Sequence, residues 1–313
     1  MISNSSNITR TKQKPRETYL SLMELKIPTV EDLMEGRIPV NKNVFQRAKE
    51  SYNKMISNFT KLLQIQDIYS EPIETSIISP HLLNHRFLSP DTKRVRLIKT
   101  CTEEAINQRI SECFENGNHK IYIHGPDGIG KSHALLAHAL RVRKDPRSIC
   151  VYTNDPGHWI PNEYYYIIEE IMYALIPFRQ ELSADNLLDS NILQGEDPLF
   201  KWYYLIKYTY AAFAGSFYLE PCLKDIFSRL KTAILELGEG LNMLWISDEE
   251  NNWGYRNSTE FPYNLRFNFF QKVILSASPH YQPNKVPGTF KCEAVFVRLP
   301  GLKVISFFYV KIF

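Results

Sequence analysis

One octapeptide, Gly125-Pro126-Asp127-Gly128-Ile129-Gly130-Lys131-Ser132, restricts this chain more than any other feature. It has the form G-x-x-x-x-G-K-[ST], and a chain of 313 residues meets that form by chance roughly once in a hundred sequences. Its surroundings narrow the reading. The apolar run Ile121-Tyr122-Ile123 leads in, and Ala134, Leu135, Leu136, Ala137, Ala139 and Leu140 lead out as strong helix formers. Strand, glycine loop and helix in that order make a phosphate-binding turn. Glycines let successive backbone N–H groups curl toward an anion, and the helix N-terminus adds the positive end of its dipole. The expected nucleotide-binding set is Gly125, Pro126, Asp127, Gly128, Ile129, Gly130, Lys131, Ser132 and His133, with Lys131 on the β- and γ-phosphates and Ser132 a ligand of Mg²⁺. His133 and His138 stand five apart, which is not the i, i+4 spacing of a helical metal pair, and both read as structural.

Downstream of position 119, short apolar runs alternate with helical stretches, the pattern of a parallel sheet with helical crossovers. The strands expected are Lys120 to His124, Ile149 to Thr153, Met243 to Ser247, Lys272 to Ala277 and Ala294 to Leu299. Mg²⁺ carried on a nucleotide keeps waters that an acidic side chain must orient. The run Met243-Leu244-Trp245-Ile246-Ser247-Asp248-Glu249 supplies Asp248 for the metal and Glu249 as general base, beside Lys131 as the catalytic cation. Ser276, at the end of the fourth strand, is placed to sense a γ-phosphate, with Ser278 as the other candidate. The chain contains no N-K-x-D segment for guanine, which leaves adenine, so the expected cofactors are ATP and Mg²⁺.

The rest of the chain frames this unit. Residues 1 to about 40 are polar and aperiodic, and Phe45, Ala48, Tyr52, Met55, Phe59 and Leu62 then recur at three- and four-residue spacing, predicting a helix. Pro72, Pro80 and Pro90 punctuate 70 to 99 as a connecting segment. Thr100 to Glu103 reads as a capping box before a helix with Ala105, Ile106, Ile110 and Phe114 on its apolar face, ending at Asn116-Gly117. Residues 160 to 238 are expected to be a helical insertion whose many rings, including Tyr164, Tyr165, Trp202, Tyr203 and Tyr204, pack as core. The organisation is thus a flank over 1–99, a nucleotide-binding domain over 100–303 and an apolar tail over 304–313.

A net charge of +3 is too small to argue for nucleic acid by bulk electrostatics, and no apolar run approaches the length of a membrane span. The five cysteines lack C-x-x-C spacing, so neither zinc nor a disulfide framework is indicated. With no secretory signal visible, the expected location is the cytoplasm or nucleus, and the sequons at Asn4, Asn7, Asn58 and Asn257 read as chance.

From His119 to Leu302 the order of motifs resembles the NTPase module of Crinkler-type effectors, relatives of retrotransposon-hot-spot proteins. The resemblance is carried by the loop Ile123 to His133, the segment Thr153-Asn154-Asp155-Pro156-Gly157-His158-Trp159, the acidic Asp248-Glu249-Glu250-Asn251 where that family tends to D-Q-x-N, and Val273 to Ser278. It implies an α/β P-loop NTPase, a three-layer sandwich on a five-stranded parallel sheet of order 5-1-4-3-2, here with a helical insertion and an N-terminal helical extension. It also implies AAA-like or STAND-like behaviour as a switch or motor, self-association or an effector-domain partner, and delivery to a host cell. The rival expectation is a hydrolysis-deficient nucleotide-binding interaction protein. Val304 to Phe313, ten residues of high β-propensity with one charge, reads as an aggregation-prone tail, from which we expect an incomplete copy of a longer protein.

Overall fold

The computed structural model describes residues 42–80, 93–117, 119–124, 129–154, 163–184, 187, 193–213, 219–238, 240–248, 270–277 and 295–298, with 124, 163–165, 277 and 295–298 as backbone only. Helix α1 is Lys42–Gln64, and a two-residue ladder, β1 (Ile73–Glu74) with β2 (Arg94–Val95), brackets the one-turn helix α2 (Thr75–Ile78). Then follow α3 (Cys101–Glu115), β3 (Lys120–His124), α4 (Lys131–Arg143), β4 (Ser148–Thr153), α5 (Glu163–Leu175), α6 (Pro198–Phe213), α7 (Leu219–Leu235), β5 (Asn242–Ser247), β6 (Lys272–Ala277) and β7 (Val295–Arg298).

The chain folds as an α/β protein on a parallel sheet. All six residues of β4 are buried, as are Met243 to Ser247 in β5 and Val273 to Ser276 in β6, so these runs lack the alternation of a half-exposed sheet. Burial on both faces is what parallel strands with helical crossovers require. Four strands form the body of the sheet, in spatial order β4, β5, β6, β3. The fifth strand expected, Ala294 to Leu299, is described only as the backbone of Val295–Arg298, which pairs in parallel with Ile121–His124. Because α4 leaves the end of β3 and the next strand, β4, lies three places away, two later strands fill the gap between them.

The helical parts are held by rings and buried ion pairs. Ala48, Tyr52, Met55, Phe59 and Leu62 form the buried stripe of α1, and the ring of Tyr52 lies 5.2 Å from Phe200 of α6 while Phe59 lies 5.4 Å from Tyr173 of α5. Trp202, Tyr203 and Tyr204 are buried, so those insertion rings are core; the side chains of Tyr164 and Tyr165 lie outside the described residues. The connecting segment 70–99 is more structured than its prolines suggest. Ile73, Ile77, Ile78 and Leu97 all enter the core.

The capping box forms by half. The Thr100 hydroxyl accepts the Glu103 N–H at 3.1 Å, but Glu103 does not reach back. Its carboxylate is buried and accepts from Tyr69 and from Arg141 instead. Ala105, expected on the apolar face, is exposed, because the buried stripe runs through Glu103, Ile106, Ile110 and Cys113. Gly117 closes the helix at φ 77°, a left-handed conformation that favours glycine. Cys101, Cys113, Cys150 and Cys222 are free thiols; Cys292 lies outside the described residues. Asn58, one of the sequons, is buried on α1. Among the described residues no helix is long and apolar enough to cross a membrane.

Candidate functional site

The carboxyl edge of the sheet is built by β3, β5, β6 and β4 together. Because the strands are parallel, the turn after β3 and the last residues of β4, β5 and β6 emerge at one edge. Helix α4 starts there at Lys131, and its N-cap, Gly130, holds φ 90°, which a side-chain-bearing residue would adopt only with strain. Ala134 N–H donates to Gly130 O at 3.0 Å, the first helical bond. Lys131 is only 7% exposed, and a sheltered ammonium needs negative charge beside it. Ser132 and His133 follow in the same turn, half-buried. Gly125, Pro126, Asp127 and Gly128 lie outside the described residues, as does Glu249.

Strand register brings the polar ends together. Ile123 sits opposite Ser276, Leu275 opposite Ser247, and Ser247 opposite Thr153. Stepping each strand to the same level puts Asn154, Asp248, Ser276 and Ile123 in one row on one face, since side chains alternate with period two. Asp248 N–H donates to Thr153 O at 2.8 Å, so the ladder between β4 and β5 continues to Asp248 itself. The exposures are 4% for Asn154, 1% for Asp248 and 1% for Ser276. The Ser276 hydroxyl is buried without a hydrogen-bond partner among the described residues, as is that of Ser247 on the opposite face. A buried hydroxyl left so is costly until something pairs with it.

Thus Lys131, Ser132, Asp248 and Ser276, chosen from motif positions far apart in sequence, belong to one edge. Asn154 joins them, although no motif marks it as a site residue. The signal for it is the polar side chain that ends the apolar run Ile149 to Thr153, but only its level beside Asp248 gives that signal meaning.

Helix α4 is tied down along its length. His133 Nε2 lies 2.8 Å from Ile98 O and 3.1 Å from Ile98 N, and the ring tautomer selects which is bonded. His138 Nδ1 is 2.9 Å from Asn107 Oδ1, and burial, with the Arg141 charge second, pushes its pKa down to about 4. Arg143 is fully buried and donates to the carbonyls of Cys150 and Ile78 and, at 3.0 Å, to Glu170 of α5. Burial pushes Glu170 up to about 7, against the opposing pull of Arg143 and of a hydrogen bond from Ser79. Such fixing holds the first turn of α4 in one place.

Among the described residues no three His, Cys, Asp or Glu cluster as a metal site. Mg²⁺ on a nucleotide requires none, because phosphate oxygens and water supply most of its ligands. One buried carboxylate, Asp248, in the same row as the orphaned Ser276 hydroxyl fits that demand. Comparison with protein-family models and with curated proteins finds no match.

Proposed function

We propose that this protein is a P-loop NTPase of Crinkler type that binds ATP with Mg²⁺ and hydrolyses its β–γ phosphoanhydride, acting as a switch or motor module. The observation that carries the reading is the meeting, at one sheet edge, of the glycine-capped first turn of α4 with the buried row Asn154, Asp248 and Ser276. With β7 counted as a fifth strand, the lateral order β7-β3-β6-β5-β4 supports the order 5-1-4-3-2 expected of a three-layer P-loop sandwich.

In this reading Lys131 neutralises charge on the β- and γ-phosphates, and the backbone N–H groups around Gly130 follow the phosphate chain. Ser132 and Asp248 hold Mg²⁺, the carboxylate acting through water. The bound ion supplies charge neutralisation at the phosphate oxygens. Glu249, one residue beyond Asp248, takes the proton from the attacking water, and the Ser276 hydroxyl donates to the γ-phosphate, which satisfies its orphaned state.

The test is calorimetric titration with ATP and Mg²⁺ followed by single-turnover hydrolysis with a Mg²⁺-free control. Lys131→Ala is expected to abolish binding. Glu249→Gln is expected to preserve binding and slow turnover by ~10²–10⁴-fold, the range for a positioned general base. Undiminished affinity in Lys131→Ala rules out the phosphate role of the loop, and equal turnover in Glu249→Gln moves the base elsewhere.

A further inference from the structure

Residues 93–99, which include the short strand Arg94–Val95, lead into the cap of α3. Leu97 is buried in the core, and its neighbour Ile98 is 63% exposed. Among the described residues the other large exposed apolar side chains are Leu63 and Leu235, each in the last turn of its helix. Ile98 differs from both. Its main chain is fastened to His133, two residues past Lys131, so an exposed branched aliphatic stands beside the first turn of the phosphate-binding helix.

That placement is informative if a nucleotide lies there, and the inference rests on the nucleotide reading above. A triphosphate threaded over the N-terminus of α4 has its γ end toward Ser276 and Asp248, so its α end and the sugar emerge toward the outer side of the first turn. The strap at Ile98, fastened to His133 in that first turn, is a described surface beside it. The planar base of a nucleotide buries apolar faces, and a branched aliphatic offers a matching flat contact. His133 then acts as a positioning residue that holds the strap rather than as a phosphate ligand.

We propose that Ile98, held against α4 by His133, is the apolar platform on which the base of the bound nucleoside triphosphate packs, favouring the larger purines. The platform distinguishes nucleotide from bare triphosphate, because only the former reaches it.

The experiment titrates the full chain with Mg²⁺ and either ATP, CTP or inorganic triphosphate, for the unaltered protein, Ile98→Ala, Ile98→Leu and His133→Ala. Loss of the covered part of one aliphatic side chain is expected to weaken ATP about five- to tenfold, to weaken CTP less, and to leave inorganic triphosphate unchanged. Ile98→Leu is expected to restore ATP affinity, and His133→Ala to weaken ATP in the same selective way. ATP affinity unchanged in Ile98→Ala, or ATP and triphosphate weakened alike, overturns the platform while leaving the phosphate site standing. If the unaltered protein binds neither ATP nor triphosphate, the nucleotide reading and the platform fall together.

Discussion

Two ionisable side chains, both placed around α4, make the stability of this protein respond to pH in opposite directions. His138 has its folded pKa lowered to about 4, by burial first, so the unfolded chain takes up the proton before the folded one does. Its contribution is present above the ordinary 6.5 and lost as pH falls from there toward about 4, amounting to roughly 3 kcal/mol at full extent. Glu170 is raised from the ordinary 4.5 to about 7, again by burial first, so its contribution is present below 4.5 and lost as pH rises through about 7. The two slopes oppose each other in the shared window. His138→Gln keeps a donor for Asn107 and removes one slope, so denaturant unfolding between pH 7 and pH 4 is expected to show a flatter acid limb than the unaltered protein. An identical acid limb would show that His138 does not govern it. Neither shift was legible in the sequence. A histidine two residues into the run Leu136-Ala137-His138-Ala139-Leu140 looks the same whether its ring faces water or Asn107 of a neighbouring helix.

Among the elements, α4, which begins at the glycine cap Gly130, is locked to β4 and α5 by a charge that lies wholly inside the protein. Arg143 and Glu170 are 3.0 Å apart with essentially no exposure, and Ser79 and the Ile78 and Cys150 carbonyls complete the guanidinium and carboxylate bonding. Removing one partner of a buried pair leaves the other charge uncompensated, which costs ~3–5 kcal/mol, whereas replacing both with apolar groups is often neutral or better. Arg143→Met is therefore expected to lower the urea midpoint strongly, and the double variant Arg143→Met with Glu170→Leu to recover most of the loss. A double variant no more stable than the single would mean that the pair's own attraction, rather than the stranded charge, dominates. Element boundaries were largely legible at this scale, because apolar runs of four to six residues bounded by charged or turn residues have few alternatives to buried strands. The Thr100 cap was legible too. The fate of Glu103 was not, since Tyr69 and Arg141 come to it from elements far away in sequence.

The molecule as a whole does not divide cleanly at residue 99. Helix α1 contributes Tyr52, whose hydroxyl donates to Asp197 at 2.6 Å, and Lys49, paired with Glu196, to the layer made by α5 and α6. Ile73, Ile77, Ile78 and Leu97 enter the same core as the sheet residues. A chain beginning at Thr100 is accordingly expected to lose cooperative thermal unfolding, because it exposes the apolar surfaces that these residues cover. A sharp transition and intact ATP affinity in that shorter chain would show the flank to be separable. By itself the sequence determined the strand and the helix that flank the glycine loop, the strands beside them, the acidic residue at the end of β5 and the helices α5, α6 and α7, since spacing, glycine and runs of apolar residues act through neighbours in the chain. Only the tertiary structure decided that Asn154, Asp248 and Ser276 share one row, that His133 holds a strap bearing an exposed Ile98, and that the N-terminal flank belongs to the core. Those facts depend on parallel register and on which helix faces meet, and both are settled by packing between segments tens to more than a hundred residues apart.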